Sequence, residues 1–557
     1  MKRDLDILSN QKFDVIVIGG GIYGACVAWD SALRGLSVAL IEKEDFGHAT
    51  SSNSLKIIHG GLRYLQDANL IRARAMAFEK SIWLRIAPHL VQPIEFLTPT
   101  YKGFKRSKMV FSLALTLNEL IGYNQDHILR SRNQISPSRV ISREECLQMV
   151  KGHDPGYITG GAIWYDAQIY NSERLLISII LSASQAGAKI SNYVEAIDFI
   201  QNDLGVIGIT AKDVFTNQTF DILADMVVNC AGGWAESLVC QLGKGIPAWN
   251  YFPSIALNVV SQKKVANIAL GLEGSISSPN DDGKNKQHQM LFFVPWRDYT
   301  IIGTKHLFDS GQNHDKFLLE SMINEFIKDI NKVYPESDLN KSDLVHVHVG
   351  SLPSVISGVS RKKFKLLRES QIHDHQKEDG IAGLITLIGV KYTTARMTAQ
   401  KAVDLVVRRL KRNSPACRTH EVPIVGGEIE NMHGFLLSAK KESQNIVDSE
   451  VIEHLVHTYG SEYSQILAYL ERETRLGERV VDTRPQIKAE IIHAVREEMA
   501  QKLSDVVRRR TEYGAVGLPE SGSLQDYAEI MARELKWSLD RKKQEVDDVV
   551  ASYPWIF

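Results

Sequence analysis

Three glycines near the amino terminus have the spacing of a phosphate-binding turn. Gly19, Gly21 and Gly24 follow the apolar run 13–18, FDVIVI, and Glu42 stands at the end of the next apolar run. The first glycine of such a turn allows the tight bend, the second lets the backbone approach a pyrophosphate, and the third lets a helix pack on the strand. An acidic residue about 20 positions further on is placed to bind a ribose hydroxyl. The pattern therefore predicts a site for FAD or NAD, whose ribose hydroxyl is free, rather than for NADP.

The segment 43–65 is unlike the continuation of a simple NAD domain, which proceeds directly to its next helix and strand. It is long, polar and rich in hydroxyls and glycines. Thr50, Ser51 and Ser52 are hydroxyl donors suited to phosphate and ribitol oxygens, and Gly60 with Gly61 permits close approach of the backbone to a flat ring. We therefore expect this segment to contact the cofactor.

Several motifs resemble those of FAD-dependent glycerol-3-phosphate dehydrogenases. The run 49–65, ATSSNSLKIIHGGLRYL, is similar to the segment that this family wraps around the pyrophosphate and the flavin. The runs 225–234, 387–396 and 497–511 resemble the family's second FAD-contacting turn, its flavin-closing segment and the signature of its C-terminal cap. The resemblance implies FAD as the cofactor, and it adds these residues to the cofactor site: His59, Val194, Ala231, Gly232, Gly389, Lys391 and Thr393. It also implies a helix that begins at 391–394, whose amides and dipole would stabilise reduced flavin.

The elements that position these motifs alternate between strand and helix, and the FAD motifs are dispersed along the chain. We therefore predict an α/β fold (α+β overall), with a Rossmann-like FAD domain made of residues 1–70, 160–240 and 354–412. An antiparallel-sheet substrate domain is expected at 71–159 and 241–353, and a helical C-terminal domain at 413–557. Within these domains we expect paired strands at 290–296 and 299–304, a helix at 320–333, and C-terminal helices at 431–443, 450–459, 463–473, 487–498 and 524–541. Residues 272–288 and 369–380 are expected to be solvated loops. The arginine run 508–510 is expected to be a solvated helix face, with an anion site as the alternative.

The resemblance also implies a substrate site. Arg63 and Tyr64 match residues that bind the substrate phosphate, for which a guanidinium is well suited. Arg368 aligns with a second phosphate-binding arginine. Lys391 aligns with a lysine that lies at both flavin and substrate, where an ammonium group stabilises an alkoxide or the reduced flavin. A surface ion pair is the alternative for each of these cations.

Two substrate-side positions depart from the family pattern. Leu352 stands where the family has a phosphate-binding arginine, and Asn258, which cannot titrate, stands where it has a candidate acid–base histidine. Lys305 and His306 are candidates for the missing charge and base, or else point to solvent. The predicted catalytic residues are thus Lys391, Arg63, Asn258 and His306.

Three functions remain open at this level. The first is oxidation of sn-glycerol 3-phosphate to dihydroxyacetone phosphate, in which the substrate carbon gives a hydride to flavin N5 while a base takes the hydroxyl proton. The second is the same fold acting on another polyol phosphate, a hydroxy acid or an amine. The third is a non-catalytic FAD-binding protein.

Composition limits the partners. The 65 basic and 66 acidic residues give a net charge of -1, which disfavours nucleic acid as a partner. The five cysteines form no CxxC pair, and we predict no metal site.

The polar first twelve residues do not resemble a signal peptide, and no run of about 18 apolar residues occurs. We therefore expect a cytoplasmic protein, with peripheral contact at the inner face of the membrane as an alternative because residues 101–111 mix basic and aromatic side chains. A quinone or oxygen is the expected electron acceptor, and a homodimer is left open.

Overall fold

The computed structural model describes residues 1–62, 64, 69–103, 107–117, 137–150, 156, 158–243, 251–275, 288–308, 316–356 and 364–553. The strands, in chain order, are β1 Phe13–Ile18, β2 Val38–Ile41, β3 Ile57–Ile58, β4 Val91–Tyr101, β5 Arg139–Ile141, β6 Ile158–Ile169, β7 Lys189–Ser191, β8 Val194–Asn202, β9 Gly205–Asp213, β10 Thr219–Asn229, β11 Tyr251–Ser261, β12 Ala269–Ser275, β13 His288–Trp296, β14 Tyr299–Phe308, β15 Leu344–Ile356, β16 Phe364–Leu366, β17 Gln371–Asp374 and β18 Leu384–Ile388.

The α-helices, in chain order, are α1 Leu5–Asn10, α2 Ile22–Leu33, α3 Leu70–Ile86, α4 Arg143–Met149, α5 Ser172–Gln185, α6 Ala235–Val239, α7 Lys316–Val333, α8 His375–Glu378, α9 Ala395–Leu410, α10 Met432–Glu442, α11 Ser449–Tyr459, α12 Tyr463–Arg472, α13 Lys488–Glu497, α14 Leu503–Asp505, α15 Ser521–Leu535 and α16 Leu539–Ala551. Residues 108–117 are also helical, and a π-helix covers Val506–Arg510. Within the described ranges, no helix is long and apolar enough to cross a membrane.

The first sheet has eight strands, with the order β17-β18-β10-β1-β2-β7, and β8 and β9 extend from β10. Strands β18, β10, β1, β2 and β7 pair in parallel. All six residues of β1 are buried, as expected for a strand covered on both faces. One apolar core lies between this sheet and helices α2, α5 and α9. The predicted Rossmann-like arrangement is confirmed.

The second sheet has ten strands, with the order β16-β15-β11-β14-β13-β12-β4-β6-β3, and β5 pairs with β6. It is antiparallel except for the β4–β12 pair. Its alternate residues, such as Ile255, Leu257 and Val259, join α7 in a second core, so the intervening residues face the opposite way. The predicted hairpin at 290–304 is confirmed as β13–β14.

The strands of this sheet do not follow the predicted boundaries between the FAD domain and the substrate domain. Strands β3, β6 and β16 belong to it, although all or most of each was expected in the FAD domain. The reason is the length of β6, which pairs with β4 from Ile158 to Ile169 and so carries the sheet well beyond residue 160. Apolar patterning predicts a strand but not the sheet that the strand joins.

The C-terminal domain is helical, as predicted, but the expected helix at 524–541 is two helices, α15 and α16. The break follows Leu535, where Lys536 takes a left-handed conformation with φ of 55°. The expected loop at 369–380 is also wrong, since it forms β17 and α8 and buries His375. Most of the expected loop at 272–288, residues 276–287, lies outside the described residues.

Candidate functional site

The glycine turn between β1 and α2 is shaped by close backbone contacts. A Cβ on Gly19, whose φ is +104°, would lie 2.6 Å from the carbonyl oxygen of Cys230, and one on Gly24 would lie 1.9 Å from that of Gly19. Helix α2 begins at Ile22 with Gly21 as its N-cap. The Ile22 amide donates to Ser51 Oγ at 3.0 Å. Residues 50–52, which we call the hydroxyl segment, therefore reach the helix N-terminus through Ser51. An anionic group is stabilised at such a terminus.

Glu42 follows β2 and braces this turn. Its carboxylate accepts hydrogen bonds from the amides of Gly20 at 2.7 Å and Glu44 at 3.0 Å. The other two hydroxyls of the segment bind protein backbone. Thr50 exchanges two hydrogen bonds with the Ser351 backbone in β15, at 2.9 and 3.0 Å, and Ser52 donates to the Gly47 carbonyl. In this arrangement Ser51 alone of the three hydroxyls binds the helix N-terminus.

Three residues predicted to contact the cofactor lie near the same end of the parallel sheet. The Val194 amide donates to the carbonyl oxygen of Glu42 at 2.8 Å. Ala231 and Gly232 follow β10, and a Cβ on Gly19 would lie 3.2 Å from the Ala231 Cα. Carboxyl ends of parallel strands are the usual place for a ligand in such sheets.

His59 and Gly60 are held by Asp166 of β6. One Asp166 oxygen lies 3.1 Å from His59 Nδ1, and the other accepts from the Gly60 amide at 2.7 Å. Burial opposes ionisation of this carboxyl, but His59, Lys80 and the Gly60 amide together leave the pKa of Asp166 below its ordinary value. The His59 amide donates to Thr393 Oγ1 at 3.2 Å, which joins the two segments predicted to enclose the flavin.

The segment 389–391 is bound to Tyr23 of α2, and the helix expected to begin at 391–394 starts later. The amides of Val390 and Lys391 donate to the Tyr23 hydroxyl at 3.0 and 2.9 Å, and that hydroxyl donates to the Lys391 carbonyl at 2.7 Å. The helix begins at Ala395, with Thr394 as its N-cap, and not at 391–394. A Cβ on Gly389 would lie 2.3 Å from the Tyr23 ring. Gly389 is thus required for packing against tyrosine.

Lys391 and Tyr64, which the sequence predicts to contact the substrate, lie together. The Lys391 ammonium contacts the Tyr64 hydroxyl and lies 4.7 Å from its ring centroid. Arg72, which the sequence did not single out, stacks on the same ring at 4.4 Å and donates to the carbonyl oxygen of Arg368. The Arg368 side chain itself is exposed. We call Lys391, Tyr64 and Arg72 the cationic cluster; Arg63 lies outside the described residues.

The structure contradicts a substrate role for Lys305. Its ammonium is buried and lies 3.0 Å from Asp329 and 3.2 Å from Glu325, both on α7. The reason is a bulge, since Leu257 pairs with Lys305 while Asn258 pairs with Gly303. The shift turns Lys305 towards the core between the sheet and α7.

Asn258 and His306 lie on the other face of that sheet. Asn258 is buried, and its Oδ1 accepts from the Thr304 hydroxyl at 2.7 Å. Burial lowers the pKa of His306 to about 4, so its imidazole is neutral at neutral pH. Its Nδ1 is buried and makes no hydrogen bond within the described residues. A catalytic role for either residue stays a prediction.

The arginine run is not a solvated helix face. Arg509 and Arg510 are buried and bind the Asp45 carboxylate, at 2.6 and 2.8 Å. Asp45 lies three residues after Glu42 and five residues before Thr50. The C-terminal domain therefore contacts the chain that leads into the hydroxyl segment. Neither pairing has a local sequence signal, because more than 460 residues separate the partners.

The residues present fit FAD. The glycine turn leaves no room for side chains, the amide-bearing end of α2 can bind a pyrophosphate, and Glu42 can accept a ribose hydroxyl. Lys391 supplies a cation beside the segment that would close the flavin site. When bound, FAD supplies a two-electron acceptor for oxidation of a substrate.

Comparisons with known proteins agree with this fit. Residues 14–402 match the family model for FAD dependent oxidoreductases, and residues 417–542 match the C-terminal domain of alpha-glycerophosphate oxidase. A glycerol-3-phosphate dehydrogenase of Synechocystis sp. is 32% identical over 92% of this chain and 91% of that protein. The mitochondrial glycerol-3-phosphate dehydrogenase of Homo sapiens is 29% identical over 97% of this chain and 73% of that protein.

A solved structure has the same fold. It is the glycerol-3-phosphate dehydrogenase of Bacillus halodurans complexed with FAD, with a TM-score of 0.73 at 23% identity over 98% of this chain and 95% of that one. The family model covers well over half of the chain, and the cyanobacterial relative is similar over nearly its whole length. The chain therefore belongs to the family of FAD-dependent oxidoreductases, in the group of glycerol-3-phosphate dehydrogenases.

Proposed function

We propose that this enzyme oxidises sn-glycerol 3-phosphate to dihydroxyacetone phosphate with FAD as its cofactor. The observation that carries the proposal is the cationic cluster, in which Lys391 and Arg72 lie on the same aromatic ring of Tyr64. The cluster adjoins the segment that would close the flavin site. Two cations at one end of a site are suited to a substrate with a phosphate group and a hydroxyl that loses its proton.

The charges around the cluster support an anionic substrate. Among the described residues, Arg72 is paired with the carboxylate of Glu369, with 2.9 Å between Nη1 and Oε1, and the Glu369 side chain is 63% exposed. A phosphate dianion that displaces this exposed carboxylate would gain a charge-assisted contact with a guanidinium. Lys391 would then stabilise the negative charge that develops on the substrate oxygen as its proton leaves.

His306 is the base in this proposal. A neutral imidazole has a lone pair that can accept the hydroxyl proton, and burial keeps the His306 ring neutral. Its pKa of about 4 makes it a weak base in the protein alone. A substrate anion bound close to the ring would raise that pKa, because a nearby negative charge favours the protonated form.

A second candidate function rests on Leu352. This half-buried side chain lies in β15, on the face shared with Gly350, and a Cβ on Gly350 would lie 3.2 Å from Thr50 in the hydroxyl segment. An apolar residue there, together with the inward turn of Lys305, removes two expected cations. This favours a substrate with fewer anionic oxygens, such as a hydroxy acid or an amine, and another polyol phosphate is a further alternative.

A substrate panel tests the proposal. Initial rates with an artificial electron acceptor would be measured for glycerol 3-phosphate, glycerol, a short 2-hydroxy acid and a secondary amine. We expect the highest kcat/KM for glycerol 3-phosphate and a large loss for glycerol, which lacks the phosphate. A higher value for the amine or hydroxy acid would establish the second candidate. Bound FAD that none of the compounds reduces would establish the third function, a non-catalytic FAD-binding protein.

For the electron acceptor we propose a quinone reached at a membrane surface, with oxygen as the alternative. Ile71, Met109 and Leu113 expose 87%, 71% and 62% of their surface, and their helices pack together through Ala73 and Phe111. Exposed apolar side chains next to basic ones favour an anionic lipid surface. Co-flotation with anionic vesicles, reduced in a variant with Ile71→Ser and Met109→Ser, is the expected result. Equal flotation with zwitterionic vesicles would contradict it.

A further inference from the structure

Two histidines and an aspartate form a compact group at the edge of the first sheet. His373 Nε2 and His375 Nδ1 each lie 2.7 Å from Asp379 Oδ2, and one ligand atom from each residue lies within 4.8 Å of the others. Asp379 and His375 are 5% and 0% exposed at their side chains, and His373 is 17% exposed. From these contacts we propose that His373, His375 and Asp379 bind a divalent transition-metal ion, for which Zn²⁺ is the natural probe.

The local chain geometry brings the three side chains together. His373 lies in β17 and His375 is the first residue of α8; Asp374 between them is still extended, so the two histidine side chains lie on the same side of the chain. Asp379 follows the short helix α8 and is four residues from His375, a spacing that also places two side chains on one face. Two imidazoles with one carboxylate form a ligand set that first-row divalent metals accept.

The outer ring nitrogens have partners of the kind found around metal ligands. His373 Nδ1 lies 3.0 Å from the Glu378 carboxylate, and His375 Nε2 lies 2.9 Å from Thr386 Oγ1. Metal-bound histidines almost always donate their second N–H to a carboxylate, a carbonyl or water, which fixes the ring orientation. Glu378 is matched to this role for His373, and the Thr386 hydroxyl has the same position for His375.

The number of N–H donors on the His373 ring gives a second reason to expect a cation at this site. A neutral imidazole has one N–H, yet both nitrogens of His373 face carboxylate oxygens. One of its lone pairs would therefore point at an anionic oxygen. A metal ion between His373 Nε2, His375 Nδ1 and Asp379 Oδ2 removes that conflict. Zinc bonds of about 2.0–2.2 Å place tetrahedral ligand atoms about 3.3–3.5 Å apart, so the two 2.7 Å contacts would lengthen by less than about 1 Å.

The site would stabilise the β17–β18 hairpin, which is followed by the segment that contains Lys391. His373 pairs with Thr386 in β18, and β18 ends at Ile388, directly before Gly389 and Lys391. The metal would bind only residues of β17 and α8, and it would reach β18 through the hydrogen bond between His375 Nε2 and Thr386 Oγ1. This makes its role structural: the three ligands are positioning residues and not catalytic ones.

The test uses the full-length FAD-loaded protein. Zinc content would be measured by mass spectrometry after dialysis against Zn²⁺ and then against buffer, and the thermal midpoint would be measured with Zn²⁺ and with a chelator. We expect about one equivalent of zinc per chain and a higher midpoint with zinc. H375Q should lose the zinc, E378Q should bind it about 10- to 100-fold more weakly, and H433Q, at an exposed histidine, should match the wild type.

Three results would overturn the proposal. One is zinc content in the wild type no higher than in H375Q. Another is full zinc content in H375Q, which would place the metal elsewhere. The third is a thermal midpoint that neither Zn²⁺ nor the chelator changes. If H375Q does not fold, E378Q decides, since its side chain is 46% exposed and the substitution does not disturb the core.

Discussion

Arg510 and Asp45 form a buried ion pair that joins the C-terminal domain to the chain that leads into the hydroxyl segment. The Arg510 Nη2 and Asp45 Oδ1 atoms are 2.8 Å apart, and neither side chain has exposed surface. Burial opposes the charge on Asp45, but Arg510 and Arg509 hold its pKa well below the ordinary value. The carboxylate therefore stays ionised, and the helical domain acts as a clamp on a segment that we expect to bind FAD.

Asp45→Asn should weaken this clamp. Arg509 retains Asp505 and Arg510 retains Glu498, but removal of Asp45 leaves the two buried guanidinium groups with one negative charge fewer, which costs about 3–5 kcal/mol in free energy of unfolding. Chemical denaturation followed by tryptophan fluorescence measures that loss, and flavin titration of the apoprotein should show weaker FAD binding. Glu529→Gln, which removes a half-exposed partner of Arg533 and Lys542, is the control and should change the free energy by less than about 1 kcal/mol. A fully stable Asp45→Asn variant would show that the clamp is dispensable.

Lys391→Met should reduce the rate of substrate oxidation without releasing FAD. Loss of one group that stabilises developing negative charge typically lowers kcat about 10²- to 10³-fold. Stopped-flow reduction of the bound flavin measures the effect directly, and Lys401→Met, at an exposed lysine of α9, is the matched control. Unchanged flavin reduction in Lys391→Met would remove this lysine from the mechanism.

Gly389→Ala should be destabilising because of Tyr23. The added Cβ would lie 2.3 Å from the tyrosine ring, and overpacking of this kind costs about 1–3 kcal/mol. Thermal unfolding would report the loss. Gly434→Ala is a suitable control because its Cβ would have no neighbour closer than 3.6 Å, within an exposed helix. Equal midpoints for the two variants would contradict the packing account.

Stability should fall with acidity below neutral pH because of buried histidines. Burial, with Arg508 and Lys56 nearby, lowers the pKa of His346 to about 3, whereas the unfolded chain titrates near the ordinary value of about 6.5. The unfolded state therefore binds more protons below that value, and the stabilising effect of the neutral ring is lost as pH falls. From about pH 7.5 to about pH 5.5 the loss is about 1.4 kcal/mol for this histidine.

His346→Gln should remove that part of the pH dependence, measured by urea unfolding at the two pH values. The exposed His433→Gln variant should retain the wild-type dependence. An identical slope in both variants would show that His346 does not stay neutral in the folded protein.

The sequence predicts the cofactor turn well and the contacts around it poorly, for a physical reason. The roles of Gly19, Gly21 and Gly24 follow from backbone sterics within one strand–turn–helix unit, and Glu42 ends the next strand of the same β–α–β unit, so spacing is sufficient to find them. Tyr23, Arg72 and the Asp45–Arg510 pair depend on side chains that meet only after folding. Lys305 was placed wrongly because one bulge reverses its face, a feature without a local signal. The polar composition around His373 and His375 predicts a solvated loop, because composition alone does not report burial.

The central claim is that glycerol 3-phosphate reduces FAD bound to this protein. It is tested most directly by anaerobic mixing of the purified FAD-loaded enzyme with glycerol 3-phosphate, followed by flavin absorbance and product quantification. We expect the absorbance of oxidised flavin to disappear and one dihydroxyacetone phosphate to form for each FAD reduced. Flavin that stays oxidised with glycerol 3-phosphate, in a protein whose FAD is readily reduced by dithionite, would contradict it.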